Sequence, residues 1–181
     1  MEELSKTEKK SAFLRRLFLT VFIIVTFLFQ NTGGLFPEPF GIRALLLIPL
    51  TVCIAMFEGE FSGLFFGLAA GAVLDAFNAQ TICFNGIAYT LIGFAAGALI
   101  THLMRNNILC AFILSLIMAF LYRSVDFIFH YAFSGGATPL LVYFKYYFLS
   151  AVFTALLTPI YYFIVRTIER KYNKDSLTLP M

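Results

Sequence analysis

The chain has 181 residues, of which 60% are hydrophobic and 13% are charged, and its formal net charge is +3. Soluble globular domains carry about 25% charged residues, so this composition excludes an ordinary soluble domain and predicts a protein whose apolar surface faces lipid. The cysteines are Cys53, Cys83 and Cys110. Their odd number and the lack of CxxC spacing indicate inert thiols that face lipid or the protein core.

Six apolar stretches come near the roughly 20 residues that a helix needs to cross the hydrocarbon core. They are Leu14–Gln30, Ile42–Phe57, Phe61–Phe77, Phe84–Met104, Ile108–Phe133 and Leu140–Val165. The second and third are short and are separated only by Glu58-Gly59-Glu60, which predicts a tight helical hairpin. The fifth and sixth are long, which predicts tilted helices.

These stretches predict an all-α integral membrane protein, a bundle of about six transmembrane helices. Residues 14–165 form the single transmembrane domain, between a basic N-terminal segment over residues 1–13 and a basic tail over residues 166–181. Gln30-Asn31-Thr32-Gly33-Gly34 offers no signal-peptide cleavage pattern, so the first stretch is expected to be a permanent span.

Basic residues flank the predicted spans at three places. They are Lys6, Lys9, Lys10, Arg15 and Arg16 before the first span, Arg105 between the fourth and fifth, and Arg166, Arg170, Lys171 and Lys174 after the sixth. Lys and Arg in short flanks are retained on the cytoplasmic side of the membrane. Six spans with both termini in the cytoplasm place all three groups of basic residues on that side. Topology alone explains the basic ends, and contact with anionic lipid or a cytoplasmic partner is the alternative.

The third predicted span carries Gly63, Gly67 and Gly71 at four-residue spacing, which places them on one face of a helix. A face without side chains lets another backbone come close enough for van der Waals contact, which drives helix association in lipid. We therefore predict that the third span is central and packs on a similar stripe in the fourth span, formed by Gly93 and Gly97. The alternative is that one stripe receives a helix from another protein.

Asp75 ends the glycine series near the end of the third span. The C-terminal end of a helix disfavours negative charge, so Asp75 is expected to have a partner. Arg43, Arg123 and Lys145 are the basic candidates, because all three are predicted to lie in the outer half of the bundle.

The fifth predicted span holds Arg123, Asp126 and His130 at spacings of three and four residues, so they share a helical face. Ionisable groups inside a span are costly and usually face a protein interior, a cavity or each other. With Asp75 and Lys145 they form the predicted intramembrane polar cluster. An Arg123–Asp126 pair beside a neutral, hydrogen-bonded His130 would be structural; partner binding and proton or solute handling are the alternatives.

Signatures of an enzyme are not found in the sequence. The two histidines, His102 and His130, lie in different predicted spans, and there is no HExxH, P-loop or G-x-S-x-G pattern. The sequence therefore predicts a non-enzymatic protein with no catalytic residues, no metal site and no cofactor.

An ordered series of short motifs over nearly half of the chain, from Phe18 to Gly97, resembles the MreD family of rod shape-determining membrane proteins. The series is Glu58-Gly59-Glu60, Gly63-Leu64-Phe65-Phe66-Gly67, Gly71-Ala72-Val73-Leu74-Asp75, Phe84-Asn85-Gly86, Leu91-Ile92-Gly93 and Gly97. The first span ending in Gln30 and a proline-containing outer loop precede it. The fifth and sixth spans match the family only in hydropathy, so the resemblance assigns no role to their ionisable residues.

This resemblance implies a scaffold subunit of the cell-elongation complex in the bacterial plasma membrane. Such a subunit pairs directly with MreC, a protein with a single span. Through that pair it works with the MreB filament, the glycosyltransferase RodA and a class B penicillin-binding transpeptidase in lateral-wall peptidoglycan synthesis. Membrane lipid is a further expected partner and a homo-oligomer is possible, whereas no nucleic acid is expected.

The resemblance also implies a fold similar to the S-components of energy-coupling-factor vitamin transporters, and these are the main rival for function. Such proteins hold a small molecule in the outer half of the bundle. A pocket of this kind could be lined by the residues of the predicted polar cluster, Asp75, Arg123, Asp126, His130 and Lys145. Against this reading, the first span lacks the AxxxA pattern through which S-components typically dock their energising module.

Overall fold

A computed structural model of the chain describes residues 2–32, 44–77, 83–103, 105–132 and 148–172. These residues form seven helices and no strand. The helices are α1 (Glu2–Asn31), α2 (Leu47–Glu58), α3 (Glu60–Phe77), α4 (Phe84–His102), α5 (Ile108–Ala132), α6 (Leu149–Leu156) and α7 (Thr158–Tyr172). The all-helical prediction is therefore confirmed for the described part of the chain.

Within the described residues, five segments are long and apolar enough to cross a membrane. They are Ser11–Asn31, Glu60–Phe77, Phe84–His102, Ile108–Ile128 and Leu149–Tyr172, while α2 is apolar but shorter. This arrangement is consistent with a multi-pass membrane bundle.

Some helix bounds differ from the predicted ones. Helix α1 begins at Glu2, so the helix extends through the basic segment that we predicted to precede the first span. Helix α2 begins only at Leu47, and the first residues of the predicted second and sixth spans lie outside the described residues. The described part of the sixth span consists of two successive helices, α6 and α7, which meet at Leu157. Pro159 lies in the first turn of α7, where a backbone N–H is not needed for helical hydrogen bonds.

Helix α2 is the centre of the bundle, and the prediction that the third span would be central is wrong. Every residue from Leu47 to Met56 is buried, and α2 packs against all six other helices of the described chain. By contrast, α3 exposes Phe61, Phe65 and Leu68 on its outer side. The glycines of α3 bring it close to α4, and this pair then lies on one side of α2.

Because α2 has only 12 residues, its ends lie within the bundle, where backbone groups need partners from the protein. At its start, the Gln30 side-chain oxygen accepts from the Leu47 N–H at 3.0 Å, and the Thr154 hydroxyl accepts from the Leu45 N–H at 3.0 Å. At its end, the Asn106 amide donates to the Met56 carbonyl at 3.1 Å. Three other parts of the chain thus hold α2 in place.

The remaining helices surround α2: α1 packs on α3 and α7, α3 packs on α4, and α5 packs on α6 and α7. Their directions give the bundle two distinct ends. We call the end that holds Arg15, Glu58 and Arg170 the basic end. The end that holds Gln30 and Asp75 is the opposite end.

Candidate functional site: the glycine seam and the polar networks

The glycines of α3 and α4 face each other in one antiparallel contact, which we call the glycine seam. A Cβ added to Gly63 would lie 2.6 Å from the Gly93 carbonyl oxygen, and one added to Gly93 would overlap the Gly63 carbonyl. Gly67 and Gly71 in turn lie against the backbones of Tyr89 and Asn85. Since real Cβ atoms essentially never come this close to backbone atoms, the two helices can adopt this separation only with glycine at these positions.

The seam extends to the first residue of α3 and also contacts the central helix α2. A Cβ on Gly97 would lie 2.5 Å from the Cα of Glu60, where α3 begins. A Cβ on Gly63 would also lie 2.6 Å from the Cβ of Ala55, which places central helix α2 directly behind the seam. The two stripes are thus filled by each other and by α2, and neither stripe is open to a helix from another protein.

Asp75 lies at the far end of the seam, where it caps helix α4. One carboxylate oxygen accepts from the Asn85 backbone N–H at 3.1 Å and from its side-chain amide at 2.9 Å. The other accepts from the Gly86 N–H at 2.7 Å. A carboxylate at a helix N-terminus is stabilised by the unpaired N–H groups and by the helix dipole, so a residue that ends α3 also holds the start of α4.

Arg123, one of the three basic residues named as candidate partners of Asp75, does not pair with it. Arg123 donates instead to the Ser150 hydroxyl, at 3.0 Å from Nη2 and 3.2 Å from Nε, and its Nη1 lies 3.8 Å from the carboxylate of Asp126. The other two basic candidates, Arg43 and Lys145, lie outside the described residues. Among the described residues, N–H groups of α4 rather than a cation satisfy Asp75.

A hydrogen-bonded network spreads from Asp75 to the neighbouring helix. The Tyr122 hydroxyl of α5 donates to the side-chain oxygen of Asn85, the residue that Asp75 holds. The Tyr122 ring also packs against Tyr89, with centroids 5.5 Å apart. This chain of contacts links α3, α4 and α5 at the opposite end of the bundle, beside the Arg123–Asp126 pair.

The predicted polar cluster is thus only partly assembled as expected. Arg123 and Asp126 lie beside each other, while Asp75 connects to α5 through Asn85 and Tyr122. The side chain of His130 and all of Lys145 lie outside the described residues. Tyr89 adds a feature that sequence reasoning missed, since its fully buried hydroxyl has no hydrogen-bond partner among the described residues.

Sequence reasoning also missed an ion cluster at the basic end, the Arg15 triad, formed by Arg15, Glu58 and Glu169. The Arg15 Nε lies 2.7 Å from Glu58, and its Nη1 lies 3.2 Å from Glu169. The Arg15 side chain is 12% exposed and both glutamates are 2% exposed. The triad joins α1, α2 and α7, which are far apart in the chain. Its sequence signal is weak: Glu169 stands among basic residues after the last apolar stretch, and Glu58 stands in the acidic turn between the second and third stretches.

Replacing Asp75 by alanine is expected to loosen the opposite end of the bundle while leaving membrane insertion intact. The change leaves the N–H groups of Asn85 and Gly86 without their acceptor, a loss of about 1–2 kcal/mol in the free energy of unfolding. Thermal denaturation in detergent measures the loss, and hydrogen exchange at the start of α4 should rise. Thr32→Ala, an exposed position at the same end, is the control. Unchanged stability and exchange in the Asp75 variant would contradict the capping role.

Comparison of the chain with known protein families, with curated proteins and with solved structures finds no match in any of the three.

Proposed function

We propose that this chain is a non-enzymatic membrane scaffold subunit of the bacterial cell-elongation complex, of the MreD kind. In this proposal it lies in the bacterial plasma membrane with the basic end and both termini in the cytoplasm. It pairs with MreC and, through that pair, supports the MreB filament, RodA and the class B penicillin-binding transpeptidase.

One observation supports this proposal most: the motifs that carry the resemblance form a single structural unit. The stripe ending in Gly71 and the stripe beginning at Gly93 belong to the same seam. Asp75 ends the motif that begins at Gly71, and its carboxylate accepts hydrogen bonds from Asn85 and Gly86 of the motif that follows. Motifs that depend on each other in three dimensions are expected to occur together, so their ordered series is a more specific signal than any one of them.

A filled seam also constrains where a partner helix can dock. The span of MreC would lie on an outer, lipid-facing side of the bundle. Helices α3 and α4 both carry large exposed apolar side chains on their outer sides, namely Phe61, Phe65, Leu68, Ile87, Leu91 and Phe94. In this proposal the seam makes α3 and α4 one rigid unit that presents these side chains.

Depletion of this chain from its host is expected to give rounded or swollen cells, because lateral-wall synthesis would lose its membrane scaffold. The tagged protein is expected to co-purify MreC from detergent extracts of the same cells. Complementation by the wild-type chain is the control. Rod-shaped growth after full depletion would contradict the proposal, as would a genomic neighbourhood without genes for an MreB-like filament and an MreC-like protein.

A vitamin-binding subunit similar to the S-components is the second candidate. The observation that favours it is the polar interior at the opposite end, where the buried Tyr89 hydroxyl has no partner among the described residues and lies near Tyr122 and Arg123. Vitamin auxotrophy on deletion, with cell shape unchanged, would support this candidate over the scaffold. A neighbouring pair of ATPase genes would point the same way.

A further inference from the structure

We propose that three arginines at the basic end bind the phosphate of an anionic phospholipid headgroup. This arginine corner consists of Arg105, Arg166 and Arg170, of which the first and last are exposed and the second is half-buried. The inference does not depend on the proposed function, because it rests only on the surface of a membrane-embedded bundle.

The corner is built around one hydrogen bond between distant parts of the chain. The Tyr162 hydroxyl donates to the side-chain oxygen of Asn106 at 3.3 Å, which joins α7 to the turn between α4 and α5. Arg105 directly precedes Asn106. Arg166 and Arg170 follow Tyr162 on its side of α7, close enough to act electrostatically on its hydroxyl. Arg166 and Arg170 therefore lie on α7 beside the point where it contacts the α4–α5 turn, the turn that carries Arg105.

The other flank of α7 is covered by α1. The rings of Phe18 and Tyr172 stack with centroids 5.5 Å apart, and those of Phe22 and Tyr161 lie 5.8 Å apart. The flank with the arginine corner carries instead Phe163, which is 57% exposed. An open flank that combines cations with an exposed aromatic ring suits a ligand with both a charged head and an apolar tail.

The charge of the corner is not neutralised by the described residues. The two buried glutamates of the neighbouring region, Glu58 and Glu169, pair with Arg15, and Glu60 lies 3.6 Å from His102. None of the three corner arginines has an acidic partner in the described part of the chain. The described surface of the corner therefore favours a negatively charged ligand.

The order of side chains along α7 favours a lipid headgroup over an acidic peptide. Exposed Ile160 and Phe163 precede Arg166 and Arg170, so the outer side of the helix changes from apolar to basic within a few residues. That change marks the level where acyl chains give way to headgroups. The planar guanidinium also matches a phosphate through two parallel hydrogen bonds, which an ammonium group does not.

The test compares two double variants, each of which removes two positive charges. Each is placed in nanodiscs of phosphatidylcholine alone or mixed with phosphatidylglycerol, and retained lipids are counted by native mass spectrometry. Arg166→Gln/Arg170→Gln is expected to lower the preference for phosphatidylglycerol roughly 30-fold, since each arginine near an anionic surface contributes about fivefold. Arg16→Gln/Lys171→Gln is the control, because Lys171 lies over the Tyr172 ring on the flank that faces α1. The control should keep most of the preference.

Either of two results would overturn the proposal. Equal losses in both double variants would mean that attraction is diffuse rather than sited at the corner. No preference for phosphatidylglycerol in the wild type would mean that no anionic lipid is bound, and binding of a soluble acidic peptide in that case would identify a protein occupant instead. The thermal midpoint of each variant in phosphatidylcholine checks folding, and Arg166→Lys/Arg170→Lys should restore part of the preference.

Discussion

Replacing Gly67 by leucine is expected to separate α3 from α4 and to lower the free energy of unfolding by more than about 3 kcal/mol, beyond the usual cost of overpacking. The reason is that a Cβ at this position would overlap the backbone carbonyl of Tyr89, which cannot move away as a flexible side chain could. Gly71→Leu is expected to act in the same way against Asn85. Thermal denaturation in detergent measures both losses.

The matched control is Ala72→Leu, next to Gly71 on the exposed side of α3. It adds a larger side chain to the same helix without entering the seam, so stability should change little. Co-purification of MreC from cells provides a second readout and should fall with the glycine variants alone. If both glycine variants stayed as stable as the control and still bound MreC, the seam would not organise the bundle.

Replacing Arg15 by methionine is expected to have a comparably large effect, about 3–5 kcal/mol, because it leaves two buried carboxylates without their cation. Glu58 and Glu169 are each only 2% exposed, so water cannot replace the guanidinium. The change should release α1 and α7 from the end of α2, next to the α2–α3 turn. Thermal denaturation and limited proteolysis at the basic end measure it.

Two further variants make this prediction specific to the triad. Arg16→Met removes a neighbouring arginine that is not part of the triad, and it is expected to change stability little. The triple change Arg15→Met/Glu58→Gln/Glu169→Gln should recover much of the loss, since a buried ion cluster replaced as a whole is often tolerated. Equal destabilisation by Arg15→Met and Arg16→Met would contradict a role for the buried cluster.

The seam with its Asp75 cap and the Arg15 triad hold the helices of the bundle together at its two ends. The seam fixes α3 to α4 along their length, and the Asp75 cap closes it at the opposite end. The triad fixes α1 and α7 to α2 at the basic end. Such a body suits the proposed role as a scaffold, which must present a constant outer surface to partner helices.

Part of the candidate site could be predicted from the spacing of residues along the sequence alone. The glycines at four-residue intervals predicted a close helix contact, and the contact between the two stripes is present. This worked because a helix brings residues four apart onto one face whatever the rest of the chain does. The pairing of Arg123 with Asp126 followed from spacing in the same way.

Other parts of the site could not be read in this way. Asp75 was expected to have a basic partner, but among the described residues its partners are N–H groups of Asn85 and Gly86. A sequence does not show where backbone N–H groups point. The sequence does not indicate a role for Glu169, because its partner, Arg15, lies near the other end of the chain. Partners distant in sequence are brought together only by packing, so neither position carried a local signal.

The sequence by itself determined that the chain is a bundle of apolar helices and which faces of α3 and α4 are free of side chains, since composition and periodicity are local properties. Only the tertiary structure decided that α2 is the centre. That helix is apolar on all sides, so its periodicity does not mark a buried face. Its position depends instead on the caps that Gln30, Asn106 and Thr154 provide from three other parts of the chain.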